Sequence, residues 1–314
     1  MKLLFGFLIF CIVLFIYLHI MFHLKKSDEL EIYEIDNVSK EKLEEICDVR
    51  QPVMFDFDNK NILESTSKKY IEENYPAFEI KIRNVVENKE NAEMYTLLPF
   101  DAACKLFQED KTSTFFSEKN QDFLQETVMM KHFQYNDEYL RPSMVSNCFY
   151  DVLTGSTNTE TPFRYEVSYR NYFVITQGSV KIKMAPPKST KYLHPNNDYE
   201  HFEFLSPVNP WAPQAQYKAD FNKIKCLEFT LHKGKTVFIP AYWWYSFKFG
   251  ENTSISVFQY RTYMNTVAIL PHIFMYALQN QNIKRETTKK LDIEVLEKDS
   301  GEKKREEAEK SIVE

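Results

Sequence analysis

Two stretches decide how this chain is read: Thr161-Pro162-Phe163-Arg164-Tyr165-Glu166 and, about eighty positions on, Gly234-Lys235-Thr236-Val237-Phe238-Ile239-Pro240 running into Tyr242-Trp243-Trp244-Tyr245. Both are rich in aromatic and β-branched residues and are bounded by proline or glycine, the composition of strands. Period-two alternation puts Phe163, Tyr165 and Val167 on one face and Arg164, Glu166 and Ser168 on the other. Arg164 and Glu166, two apart on one face, can form a charge-assisted pair. An unpaired Glu166 in an apolar barrel would cost several kcal/mol, so Arg164 is expected to keep that interior intact.

Working outward, strand character begins near Met144. Tyr172-Phe173-Val174-Ile175 leads through a turn at Gly178 to Val180-Lys181-Ile182-Lys183-Met184, and Pro186-Pro187 ends that hairpin. Residues 188–226 read as a polar and aromatic insertion, and Phe229 to Phe258 supplies closing strands around Gly234 and Gly250. Apolar residues at near-helical spacing then predict a helix over 266–282. Residues 284–314 carry nine basic and ten acidic residues with no aromatic, a solvated tail. Upstream, Glu31 to Ile35, a Ser39-capped helix and Pro52 to Phe57 predict strand, helix, strand. From Ile62 to Phe133 the pattern predicts a mainly helical cover, with helices near 66–74, 100–108 and 121–130. The domains expected are therefore 1–26 as an anchor, 31–143 as strand and helical cover, 144–265 as the β core, 266–283 as a helix and 284–314 as the tail. The fold class is α+β, mainly β.

Leu3 to Leu24 is almost continuously apolar and as a helix would extend about 33 Å, enough to cross a bilayer. A secretory signal has a shorter apolar core and a small-residue cleavage site, so a single-pass membrane anchor is the reading taken. Lys2 and the free amine lie on one side and Lys25-Lys26 on the other. The positive-inside rule then favours a cytosolic body by a small margin. The sequons at Asn37 and Asn252 would matter only for a lumenal body.

The 314 residues, 44% hydrophobic, can bury one sizeable core. A net charge of -6, without a basic stripe, excludes a nucleic-acid partner. Five widely spaced cysteines contain no Cys-x-x-Cys pair and read as free thiols. Only six glycines occur where an average chain of this length carries about twenty, which leaves little room for nucleophile elbows or phosphate loops.

Thr161 to about Arg261 resembles the double-stranded β-helix of JmjC-type, cupin-like asparaginyl hydroxylases, and residues 31–282 do so more loosely. Tyr169 to Phe173, Pro240 to Ser246 and Tyr260 to Asn265 are similar to strings in cupin-like proteins of large DNA viruses and some protists. The resemblance implies a cupin jelly roll with a helical N-terminal cover and a C-terminal helix that packs on a partner subunit, hence a homodimer through 266–282. It also implies Fe(II) bound by His-x-Asp/Glu and a third His, with 2-oxoglutarate as co-substrate. Here Arg164, Glu166 and Tyr245 stand at the three metal positions. Arginine has no lone pair to give, and tyrosine ligates only as a phenolate. At the co-substrate positions, Thr161 is retained and Asn171 stands on the next strand, while Val180 replaces the family lysine. Lys181 and Lys183 lie on the opposite face.

The function expected is that of a membrane-anchored cupin-like domain without metal or 2-oxoglutarate, acting as a binding or scaffold module. Its partner would be a protein or a small anion on Arg164. The alternative is an active Fe(II)/2-oxoglutarate hydroxylase with ligands rebuilt from His194, His201, Glu203 or His232; the histidines among them fall in the insertion or on the strand before Gly234, away from the inward pair.

Overall fold

Leu3 to Leu24 forms one uninterrupted helix, α1 (Lys2–Leu24), as its apolar, proline-free sequence predicts. The computed structural model describes residues 2–36, 38–85 and 95–285, with side chains to 282. β1 (Tyr33–Ile35), α2 (Lys40–Cys47) and β2 (Val53–Asp56) follow as strand, helix and strand. Ser39 caps α2, its hydroxyl accepting from the Lys42 amide at 3.3 Å.

The expected helical cover is only part of what lies between 60 and 136. Helices α3 (Lys60–Ser65) and α4 (Lys68–Asn74) are followed by β3 (Glu79–Asn84) and β4 (Thr96–Pro99), then α5 (Phe100–Glu109), β5 (Phe115–Ser117), α6 (Gln121–Glu126) and α7 (Met130–Asn136). The three strands extend the main sheet. Ile80 and Ile82 alternate into the core, and Phe116 pairs with Gly155, so a short apolar alternation gains its partners only from distant strands.

The remaining elements in order are β6 (Val145–Gly155), β7 (Phe163–Tyr165), β8 (Arg170–Gln177), β9 (Ser179–Ala185), β10 (Asn196–Asp198), β11 (Glu203–Ser206), α8 (Lys218–Phe221), β12 (Leu227–His232), β13 (Lys235–Phe238), β14 (Trp244–Phe249) and β15 (Ser254–Thr262). They form two sheets, ordered β1-β2-β13-β8-β15-β6-β5-β3-β4 and β10-β11-β7-β14-β9-β12. Successive strands from β6 to β9 alternate between the two sheets. The turn between β8 and β9 needs Gly178 at φ +71°, where an added Cβ would lie 2.6 Å from the Glu251 carbonyl oxygen.

Side-chain alternation sorts the core into layers. Phe173, Ile175 and Val237 of the first sheet meet Val180, Ile182, Tyr245 and Phe247 of the second between the sheets. The other face of the first sheet packs under the helices with Leu43, Phe55, Phe100 and Phe133. Phe163 and Trp244, on the outer face of the second sheet, pack beneath the 188–226 insertion with Leu193 and Val208.

The C-terminal end of α1 is held against this body. His23 Nε2 lies 3.1 Å from Thr262 Oγ1, its ring packs on Tyr169 at 4.9 Å, and Arg50 sits over Phe22 at 5.2 Å. Past β15 the single helix expected over 266–282 is instead two, α9 (Tyr263–Ala268) and α10 (Leu270–Arg285), separated at Ile269. Pro271, which has no amide proton, suits the first turn of a new helix rather than the interior of a continuous one. The chain divides into units 1–271 and 272–314, and the described residues of the second, 272–285, belong to α10. The tail beyond 285 and the Asn37 sequon lie outside the described residues.

Candidate functional site

β7 and β14 are neighbours in the second sheet, and Tyr245 stands opposite Arg164 in register. Paired residues share a face, so Arg164 and Tyr245 both point inward, as the alternation predicts. Tyr245 donates its hydroxyl proton to Glu166 Oε1 at 3.2 Å. The three residues are thus brought together, but the expected ion pair between Arg164 and Glu166 is not the one that forms. Arg164 Nη2 binds Glu118 Oε2 at 2.6 Å.

Glu118 follows β5, the strand that the sequence pattern did not reveal, and it is the centre of a buried charge network. Its other carboxylate oxygen accepts from Arg83 Nη1 at 2.8 Å. Arg83 also reaches Glu203 at 3.1 Å, and Lys119 pairs with Glu203. Tyr95 donates to Glu118 at 3.2 Å or to Glu203 at 3.3 Å. Arg83, Glu118, Arg164 and Glu203 are all buried, two cations facing two anions. Glu203 belongs to this inward cluster: β11 pairs with β7, with Leu205 opposite Arg164. The histidines do lie elsewhere, His194 on Asp220, His201 on Asp198 and His232 exposed at the end of β12.

Asp151 on β6 positions Glu118 through the backbone. Its carboxylate accepts the amides of Lys119 at 2.6 Å and Asn120 at 2.8 Å. Lys119 adopts φ +59°, a left-handed conformation that these bonds help to hold. Signals for Arg83 and Glu118 existed in the Ile80-x-Ile82 alternation and in the Phe115-Phe116 pair, but neither states a partner.

Burial alone would raise the Glu118 carboxyl; Arg164 and Arg83 beside it override that and hold it down to about 2. Burial pushes Glu166 up, against the pull of Arg164, Lys119 and Arg261 and of the hydrogen bond from Tyr245. Burial and then the Glu166 charge lift Tyr245 well above the usual phenol range. Burial also pushes Asp151 up, to about 7, despite its amide bonds.

The co-substrate positions are occupied by structural roles. Thr161 Oγ1 accepts from the Phe247 amide at 2.9 Å. Asn171 donates to the carbonyls of Ser168 and Ile239, both at 3.1 Å, and its Oδ1 is buried without a partner. Val180 is buried between the sheets, while Lys181 on the opposite face is exposed.

With this geometry in place, the comparison with known proteins is direct. The sequence model of the cupin-like domain matches residues 25–262. The chain belongs to the cupin-like domain family. A 104-residue stretch, 33% of this chain, is 26% identical to HSPB1-associated protein 1 of Bos taurus, covering 22% of that protein. The Homo sapiens protein of that name is likewise 26% identical over 104 residues, covering 21% of its length. The chain thus spans about a fifth of the length of the curated relatives it matches.

The donor set does not suit the Fe(II) that the resemblance implies. A guanidinium cannot ligate, and Arg164 is engaged with Glu118. Tyr245 is held as a neutral phenol, and of the three positions Glu166 alone carries a carboxylate. A dication would also face the fixed charge of Arg164 at short range.

Proposed function

We propose that this cupin-like protein is a double-stranded β-helix without oxygenase chemistry, tethered to a membrane by α1 and acting as a binding or scaffold module. In the strand order, β6, β8, β13 and β15 lie in one sheet and β7, β9, β12 and β14 in the other, which supports the β-helix reading. The observation that carries the functional reading is the Arg164–Glu118 ion pair, which puts an internal cation where the family resemblance would put iron. Arg83 and Glu203 complete a closed set of charges that needs no metal for balance.

α1 is one helix long and apolar enough to cross a membrane, a property it shares with signal sequences. The near-continuous apolar run without a small-residue cleavage site supports retention as an anchor, with the body on the cytosolic side. HSPB1-associated protein 1 carries a protein association in its name, and a protein partner is the reading adopted here for the scaffold role. A second copy docking through the 266–282 region belongs to the same proposal.

The test is anaerobic calorimetry on the full chain in neutral detergent, titrating Fe(II) or Mn(II) with and without 2-oxoglutarate. Absence of binding heat and of retained metal is the expected result. Stoichiometric binding would overturn the proposal and direct attention to a hydroxylation substrate.

A further inference from the structure

The C-terminal half of α1 does not stand free of the body. It forms one wall of an open groove of about 560 Å³. Phe15, Leu18 and Phe22 line it from the helix at i, i+3 and i+7 spacing, and Met144, Tyr263 and Met264 face them from the body. Its walls are exposed: Phe15 is 52% exposed, Leu18 57%, Met144 74% and Tyr263 57%. The His23–Thr262 contact ties the helix to the body beside it.

The length of α1 says what lies there. Leu3 to Leu14, the part of the apolar run that precedes the groove, extends about 18 Å, whereas the hydrocarbon core of a bilayer is about 30 Å thick. Tilt would shorten that depth further. A spanning α1 must therefore carry roughly another 12 Å of helix, Phe15 to Phe22, into the hydrocarbon. Those are the residues of the groove, so its body wall at Met144 and Tyr263 sits at acyl-chain depth. An apolar surface that would be a liability in water is there solvated by lipid.

We propose that the groove between α1 and the α9 region opens into the bilayer and is filled by the acyl chain of a membrane lipid, so that the body is seated in the membrane surface and not held away from it. The proposal rests on the reading of α1 as a membrane anchor. It goes beyond that reading by assigning a lipid-contact site to the cupin body itself.

The test reconstitutes the full chain in phosphatidylcholine vesicles whose acyl chains are either plain or dibrominated, since bromine quenches tryptophan on contact. Tyr263→Trp and Met144→Trp report the body wall, both at exposed positions where the fold is not at stake. Leu8→Trp reports the free part of the helix, and the parent chain corrects for Trp211, Trp243 and Trp244. The expected result is quenching of the added signal at 263 and 144 by at least half of that seen at 8. Quenching at 8 with none at 263 or 144 would overturn the lipid groove while leaving the anchor intact, the outcome if water or a second copy covers that face. No quenching at any of the three would overturn the anchor reading and the groove with it.

Discussion

Replacing Arg164 by methionine keeps most of the side chain's aliphatic volume and removes its charge. The Glu118 carboxyl is held from an ordinary 4.5 down to about 2 by Arg164 and Arg83 together, which corresponds to about 3 kcal/mol of stability at neutral pH. Arg164 makes the shorter contact, 2.6 Å against 2.8 Å for Arg83, so its removal should cost about 2 kcal/mol. For a body of this size that lowers Tm by about 4–8 °C. Because the folded pKa of Glu118 is depressed, its contribution is present above its unfolded value and fades as pH falls towards the folded one. The gap between Arg164→Met and the parent should therefore be full at pH 7 and shrink steadily below pH 4.5. Thermal unfolding of the full chain in neutral detergent, followed by tryptophan fluorescence at pH 7, 5 and 3, measures it. Glu166→Gln is the companion variant: with a single side-chain hydrogen bond among the described residues, from Tyr245, it should cost less than about 1 kcal/mol. A Tm change of under about 1 °C for Arg164→Met, or equal losses for both variants, would refute the assignment of Glu118 as the partner of Arg164.

Asp151 should impose the opposite pH dependence. Its folded pKa is raised from 3.8 to about 7, so the stability it contributes is present below the unfolded value and lost as pH rises through the folded one. The parent should lose about 1.4 kcal/mol per pH unit between pH 5 and 6 relative to Asp151→Asn, whatever the fixed cost of that substitution. Parallel pH profiles for the two proteins would refute it. Ending the chain at Ile269, before α10, should convert a dimer to a monomer in light scattering of detergent-solubilised protein. An unchanged mass would remove the dimer from the proposal.

Thr161 to Glu166 and the aromatic run at 242–245 carried two strands of the second sheet, and Gly234 to Pro240 carried β13 of the first. Alternation in Phe163-Arg164-Tyr165-Glu166 gave the correct faces, and the aromatic run ending at Tyr245 gave the strand beside it. Local chemistry sufficed because a buried strand must place its apolar side chains at period two whatever surrounds it. The same reasoning put Val180 inward and Lys181 outward. It failed between Ile62 and Phe133, where β3, β4 and β5 are short and flanked by helices with stronger local patterns. Strands of three to six residues are stabilised by their neighbours, and those of β5 are β3 and β6, where its paired residues lie more than thirty positions away in either direction.

The sequence by itself determined the apolar helix at the amino terminus, a β core expected over residues 144–265 and the residue types at 164, 166 and 245, because composition and periodicity fix which side chains can face a core and which can donate a lone pair. Only the tertiary structure decided that Arg164 is held by Glu118 and not by Glu166, and that Arg83 and Glu203 close the network. It also decided that the last two turns of α1 lie against Tyr169 and Thr262. Charge pairing in a buried site is settled by distance after folding. Glu166, two positions along the chain and just past the end of β7, loses Arg164 to a carboxylate 46 positions away in sequence that the Asp151 amide bonds hold 2.6 Å from it.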